Sequence, residues 1–310
     1  MMLATLDSLK DGYHPEDIMD RFVKWLEDGE YTPTGFTFDV GNTCSKAIER
    51  YMVERNIATC GCTGERDNGN GSLMRILPIC LYMCEKQKAE GLSDDEVIAI
   101  IHEGSALTHA HMRSKIACGL YFFMVRSIIE HEGELLAGLQ RGIDEGFAYY
   151  EQYSECADEL MHYDRIHHLE QFKNVQEEEI KSSGYVVATL EAALWSIIRT
   201  NSYADSVLVA VNLGDDTDTV AAVAGGLVGL YYGYETIPEE WLKCIKKREW
   251  IEALTQYMNT EKDVLLELND MLRETRSYVQ NAIKSTLEQV NVSLDDIVEQ
   301  CAVIDNKYQS

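Results

Sequence analysis

Asp215, Asp216 and Asp218, with Thr217 and Thr219, place three carboxylates and two hydroxyls in five consecutive residues. Hard oxygen donors at that density suit Mg²⁺, Mn²⁺ or Ca²⁺ rather than zinc. They stand directly ahead of an apolar stretch, Val220 to Tyr232, so the alternative is that Asp and Thr cap a helix and complement its dipole. Three acids crowded together without a cation would repel one another, a cost that a single cap does not require.

Asn68-Gly69-Asn70-Gly71, followed by Ser72-Leu73-Met74-Arg75, is the second candidate site. Glycine admits left-handed backbone and close approach of a ligand, and N–H groups ahead of a helix can hold phosphate oxygens without any lysine. The alternative is an ordinary turn. Neither the Rossmann spacing nor that of the P-loop is present. Thr108-His109-Ala110-His111 closes an apolar helix; two histidines at i and i+2 face different sides of a helix, which predicts separate polar contacts rather than a shared metal. Cys60 and Cys62 are too close for the usual zinc knuckle.

Charge restricts the partners. Against 27 Lys and Arg stand 53 Asp and Glu, a net −26 with a pI near 4.6. Such a polyanion lacks the cationic surface that counterion release from nucleic acid needs, and it does not adhere to an anionic membrane. An anionic ligand would need local compensation from metal ions, backbone N–H groups or a helix N-terminus. Nine cysteines in a chain of 310 residues predict reduced thiols. Met1 to Lys10 does not read as a signal peptide, and the longest uncharged apolar run, Val220 to Gly233, falls short of the ~18 residues a bilayer span requires. The expectation is a soluble, cytoplasmic protein.

The elements that would hold these residues are helical almost throughout, so the predicted fold class is all-α. Apolar residues recur at helical spacing in His14 to Gly29, where Pro15 suits a first turn and Gly29 a stop. Ser93 with Glu96 predicts a capping box, and the same periodicity runs through Ile116 to Ile129 and Tyr185 to Ile198. Thr63 to Ser72 and Asn212 to Thr219 interrupt the pattern, each just before an apolar helix expected over Leu73 to Cys84 and Val220 to Tyr232. Small residues in the latter, Gly225, Gly226 and Gly229 among them, predict close approach of a neighbour and a place at the domain centre. After about Met258 a charged helix with an apolar stripe begins, with a fresh N-cap near Ser293. It predicts a helical extension over residues 259–310, folded back on its own domain or used for self-association.

Taken in order, FDVGNT (Phe38 to Thr43), NGNGSLMR (Asn68 to Arg75), LTHAH (Leu107 to His111) and LGDDTDTVAAVAGGLVGLYYG (Leu213 to Gly233), then Ile237 to Trp241, resemble the ADP-ribosylglycohydrolase family. Within it they look most like the bacterial dinitrogenase reductase-activating glycohydrolases. The resemblance runs from Met1 to about Met258 and implies an orthogonal multi-helix bundle with two Mg²⁺ or Mn²⁺ ions at one end. Such enzymes remove ADP-ribose from a modified side chain, often arginine, by hydrolysis at the distal ribose, so the implied partner is an ADP-ribosylated protein or a small ADP-ribosyl compound. By that match Asp216, Asp218 and Thr219 are metal ligands, while Asp215 stands where many relatives have glycine. Asn68, Gly69, Asn70 and Gly71 would cradle the pyrophosphate or adenosine ribose, His109 would contact ADP-ribose, and Asp39 would lie near the scissile bond.

One departure bears on activity. The family opens with a glycine-rich segment and a Thr-Asp-Asp-Thr-Ser-Met stretch that supplies the other half of the metal site, whereas this sequence begins Met1-Met2-Leu3, where that stretch ends. The expectation is therefore a domain over residues 1–258 without its leading segment, weak binding of at most one metal, and a first helix, Met1 to Leu9, without a neighbour. The alternative function is a catalytically silent member that binds ADP-ribose or has a structural role.

Overall fold

A computed structural model describes residues 1–131 and 133–256. The longer α-helices that place the site are α1 (Met2–Ser8), α2 (Pro15–Asp28), α3 (Asn42–Glu54), α4 (Leu77–Glu90), α5 (Asp94–Ala106), α6 (Met112–Glu130), α7 (Leu135–Tyr150), α8 (Val186–Ile198), α9 (Tyr203–Asn212) and α10 (Thr217–Tyr232). Among the described residues there is no strand, and two isolated bridges, Cys62 with His109 and Gly69 with Tyr185, are the extended pairings. The fold is all-α. The chain divides into two units, residues 1–251 and 252–310. The boundary expected at residue 258 and the helical extension lie outside the described residues.

Local chemistry places the helix ends. Pro15 occupies the first turn of α2 and Gly29 closes it. At α5 the Ser93 N–H donates to Glu96 Oε2 at 2.8 Å while Glu96 N–H donates to Ser93 Oγ at 3.3 Å, the reciprocal capping box. The apolar helix expected from Leu73 starts later. Leu73–Arg75 forms a 3₁₀ turn and α4 begins at Leu77 with Pro78 in its first turn. A helix from Leu73 would bury Pro78 in its interior, where the ring clashes with the carbonyl four residues back and offers no N–H; at the first turn neither matters.

Two helices form the centre. Every residue of α8 is buried, and in α6 the run Ile116 to Val125 is buried without a break. A helix apolar on all sides needs neighbours on all sides: α6 packs against α4, α5, α7, α8 and α10. The helix α10 is not at the centre as its composition suggests. It buries one face through Val220, Val223, Ala224, Leu227 and Val228, and leaves Ala222 and Tyr231 exposed. Its small residues do serve close approach. A Cβ on Gly226 would lie 2.5 Å from the Tyr121 hydroxyl, which enters there to donate to the Val223 carbonyl at 3.1 Å. The first helix has neighbours, contrary to expectation: α1 packs on α2 and α4, with Ala4, Thr5 and Ser8 buried, because small side chains on one face let it lie close.

Candidate active site

The glycine loop and the acidic loop meet. Asn70 Nδ2 donates to Asp216 Oδ2 at 2.7 Å and to Thr189 Oγ1 at 2.8 Å, joining residues 146 and 119 positions apart in the chain. A third segment, immediately before α8, binds both loops by backbone: Asn70 N–H donates to the Gly184 carbonyl at 2.9 Å, Val186 N–H to the Asn68 carbonyl at 3.0 Å, and Asp216 N–H to the Ser182 carbonyl at 3.0 Å. Ser182 Oγ donates to the Gly214 carbonyl at 2.9 Å, and Thr189 Oγ1 to the Ser183 carbonyl at 3.0 Å. Ser182 to Tyr185, Thr189 and Ser114, whose hydroxyl donates to Asn68 Oδ1 at 2.9 Å, escaped the sequence reading. A signal existed for the first of these, since small polar residues and a glycine ahead of an apolar helix also mark the other two loops.

The glycine loop is internal, which corrects the picture of exposed N–H groups at a helix start. Asn68, Asn70, Gly71 and Ser72 are buried, Gly69 half-buried. Bulk is excluded here by contact: a Cβ on Gly71 would lie 2.8 Å from both Cys44 Sγ and His109 Cε1, and one on Gly69 would lie 3.4 Å from His109 Nε2. The His109 ring, 2% exposed, thus seals one side of the loop. Its segment lies between α5 and α6, where Cys62 N–H donates to the Thr108 carbonyl at 2.9 Å and Ala110 N–H to the Cys62 carbonyl at 2.8 Å. Cys62 is therefore a backbone strut for this segment. His109 Nδ1 sits 2.8 Å from Thr108 Oγ1. Burial, reinforced by the charge of Arg75, pulls its pKa down to about 3. His111 faces elsewhere, its Nδ1 accepting from Arg113 N–H at 3.2 Å as the cap of α6.

In the acidic loop, Asp216 stands at the N-cap position of α10, but its side chain makes no capping hydrogen bond and accepts from Asn70 instead. Asp215 has φ +57°, in the left-handed region that glycine occupies more readily, following Gly214 at φ +84°. Asp218 is exposed and Thr219 buried, with Thr219 Oγ1 held by a long 3.9 Å contact to Met74 Sδ. Asp39 is not brought into this network. It is exposed on the loop before α3, between Phe36 and Gly41, and no hydrogen bond among the described residues ties it to the other candidates.

Among the described residues no three His, Cys, Asp or Glu side chains group to hold a metal ion. The donors in reach of the sequence reading are Asp216, with one oxygen occupied by Asn70, Asp218 and the Thr219 hydroxyl. Two carboxylates and a hydroxyl are chemically suited to one Mg²⁺ or Mn²⁺ that keeps several waters. They do not suffice for two.

The ADP-ribosylglycohydrolase family model matches residues 1–273. The chain belongs to the ADP-ribosylglycohydrolase family. Relatives include an ADP-ribosylarginine hydrolase of Serratia proteamaculans, 30% identical over 248 residues that span 79% of this chain and 61% of that protein. An ADP-ribosyl-[dinitrogen reductase] glycohydrolase of Rhodospirillum rubrum is 31% identical over 226 residues, 73% of this chain and 64% of that one. This ADP-ribosylglycohydrolase chain thus spans under two thirds of the length of these relatives. A solved ADP-ribosylglycohydrolase-related protein complex superposes with a TM-score of 0.62 at 26% identity, covering 83% of this chain and 77% of its own.

Proposed function

We propose that the protein hydrolyses the glycosidic bond at the distal ribose of an ADP-ribosyl group, releasing ADP-ribose from a modified side chain, with arginine the first candidate, or from a small ADP-ribosyl compound. The observation that carries this reading is the 2.7 Å hydrogen bond between Asn70 and Asp216. It unites the glycine loop with a loop of hard oxygens, and ADP-ribose asks for polar groups that can meet its phosphates and sugar hydroxyls. Arginine is favoured by the name of the Serratia relative.

In this reading Asn68 to Gly71 receive the phosphates or the adenosine ribose and His109 contacts them. Asp216, Asp218 and Thr219 would hold Mg²⁺ or Mn²⁺, which when bound supplies charge neutralisation and a more acidic water. Asn70 keeps the Asp216 carboxylate oriented, and Asp39, which lies on an exposed loop outside this network, would have to meet the leaving side chain once the substrate is bound. Water adds at the anomeric carbon, the bond to the side-chain nitrogen breaks, and a protonated guanidinium departs. The eight described cysteines are free thiols, seven of them buried, which supports a reducing, cytoplasmic setting. No described helix is long and apolar enough to cross a membrane.

A second reading, ADP-ribose binding without turnover, is favoured because, among the described residues, no third carboxylate, histidine or cysteine groups with Asp216 and Asp218 to hold a metal ion. An ADP-ribosylarginine peptide incubated with the protein, with and without Mg²⁺, separates the two. Mg²⁺-dependent release of ADP-ribose is the expected result. Calorimetric binding of ADP-ribose without release would favour the silent reading, and neither binding nor release would overturn both.

A further inference from the structure

Arg75 is fully buried, and the groups that its guanidinium hydrogen-bonds and stacks on are uncharged. Nη1 donates to the Gly104 carbonyl at 3.0 Å, Nη2 donates to Thr108 Oγ1 at 2.8 Å, and Cζ lies 4.9 Å from the centre of the Phe22 ring. Burying a cation without a carboxylate beside it is costly, so its hydrogen bonds have consequences. A guanidinium donates and never accepts, so Thr108 Oγ1 is the acceptor in this bond and keeps its own hydrogen to give. His109 Nδ1 is 2.8 Å away. The Cys44 thiol also lies against Thr108, but sulfur is a far weaker acceptor than an imidazole nitrogen. The hydroxyl hydrogen therefore goes to Nδ1. A nitrogen that accepts carries no proton, which leaves the ring proton on Nε2. That atom is turned to the glycine loop, 3.3 Å from where a Cβ on Gly71 would stand, and has no hydrogen-bond partner among the described residues.

We propose that Arg75, acting through Thr108, is a positioning residue that fixes His109 as the Nε2-protonated neutral tautomer, so that an N–H donor waits beside the glycine loop for an acceptor oxygen of the ligand. The identity of that oxygen, a phosphate or ribose oxygen of ADP-ribose, rests on the function proposed above; the tautomer does not. The consequence is a change of role. The nitrogen facing the loop already holds its proton, so His109 is a hydrogen-bond donor there and not a general base. Arg75 is the charged group facing the ring from the 3₁₀ turn, and it opposes a second proton in the same direction as burial does.

The test is a two-bond ¹H–¹⁵N correlation spectrum of the ligand-free, ¹⁵N-labelled protein at pH 7, with the His109 signals assigned by their loss in His109→Gln. The Nε2-protonated pattern is expected, and an Nδ1-protonated pattern overturns the proposal without any variant at Thr108 having to fold. Thr108→Ser keeps the relay and should keep both the pattern and ADP-ribose affinity. Thr108→Val removes it and should mix the tautomers and weaken ADP-ribose binding about tenfold. Equal losses in the Ser and Val variants would mean that Thr108 acts through packing, and would also overturn the relay. An Nε2-protonated pattern in a protein that fails to bind ADP-ribose would leave the relay standing and remove the functional reading instead.

Discussion

The glycine loop and the acidic loop are joined by one hydrogen bond yet are built on opposite principles. In the glycine loop the polar side chains are consumed by structure: Asn68 gives its amide to the Glu65 carbonyl at 3.0 Å and accepts from Ser114, while Asn70 bridges Thr189 and Asp216. In the acidic loop Asp215 and Asp218 are exposed, and Asp216 keeps an oxygen beyond the one Asn70 holds. The first loop is packed closely against Cys44 and His109, and the second is where unspent charge remains. Chemistry and stability should therefore separate when each loop is altered in turn.

The widest separation is expected at Asp218. Asp218→Ala should lower ADP-ribose release on the order of a thousandfold, the scale on which loss of one group that stabilises developing charge is felt. Its stability should stay within about 0.5 kcal/mol, since an exposed side chain is removed. Turnover assays at saturating Mg²⁺ beside urea unfolding measure both, and retained turnover would withdraw Asp218 from the site.

Asn70→Ala tests the joint between the loops and should affect both properties. Asp216 and Thr189 each lose a buried partner, at a cost of about 2 kcal/mol in stability. Activity should fall about 10- to 100-fold as the Asp216 carboxylate loses its orientation. A loss of stability with full activity would show that Asp216 needs no tether. Gly71→Ala tests the packing of the glycine loop: its Cβ would meet Cys44 Sγ and His109 Cε1 at 2.8 Å, and overpacking of this kind costs about 2 kcal/mol. Thermal unfolding checks it, and an unchanged midpoint would mean that the His109 ring yields freely.

The two loops also differ in how far a linear reading reaches them. Composition alone marked both, and the helices around them followed from local rules: Gly29 as a stop, and Ser93 with Glu96 as a box. What joins the loops was not legible, because Asn70, Thr189 and Asp216 are far apart in sequence and each is an ordinary polar residue until the fold brings them together. Arg75 was quoted within a motif without any sign that it would be fully buried. Pro78 was legible and passed over; its ring sets the start of α4 and so explains the 3₁₀ turn that carries Arg75 inward. The glycines of α10 were correctly read for close approach, but their position at the centre did not follow, since small residues specify distance to a neighbour and not burial on every side.

The smallest of the expected effects concerns acid and belongs to the glycine loop. In the folded protein the His109 pKa is about 3, against about 6.5 in an unfolded chain. The folded value is the lower one, so between these two pH values the unfolded chain binds a proton that the folded one refuses. The ring's contribution is then complete above about pH 6.5 and is lost as pH falls toward 3. From pH 6.5 to 5.5 this amounts to about 1 kcal/mol. Urea unfolding at pH 7.5, 6.5 and 5.5 should show that decline in the wild type and less of it in His109→Gln, which has no ring to protonate. Parallel declines would mean that the ring accepts a proton without disturbing the loop it seals. The glycine loop would then be adaptable, and the contrast with the acidic loop would be one of charge alone.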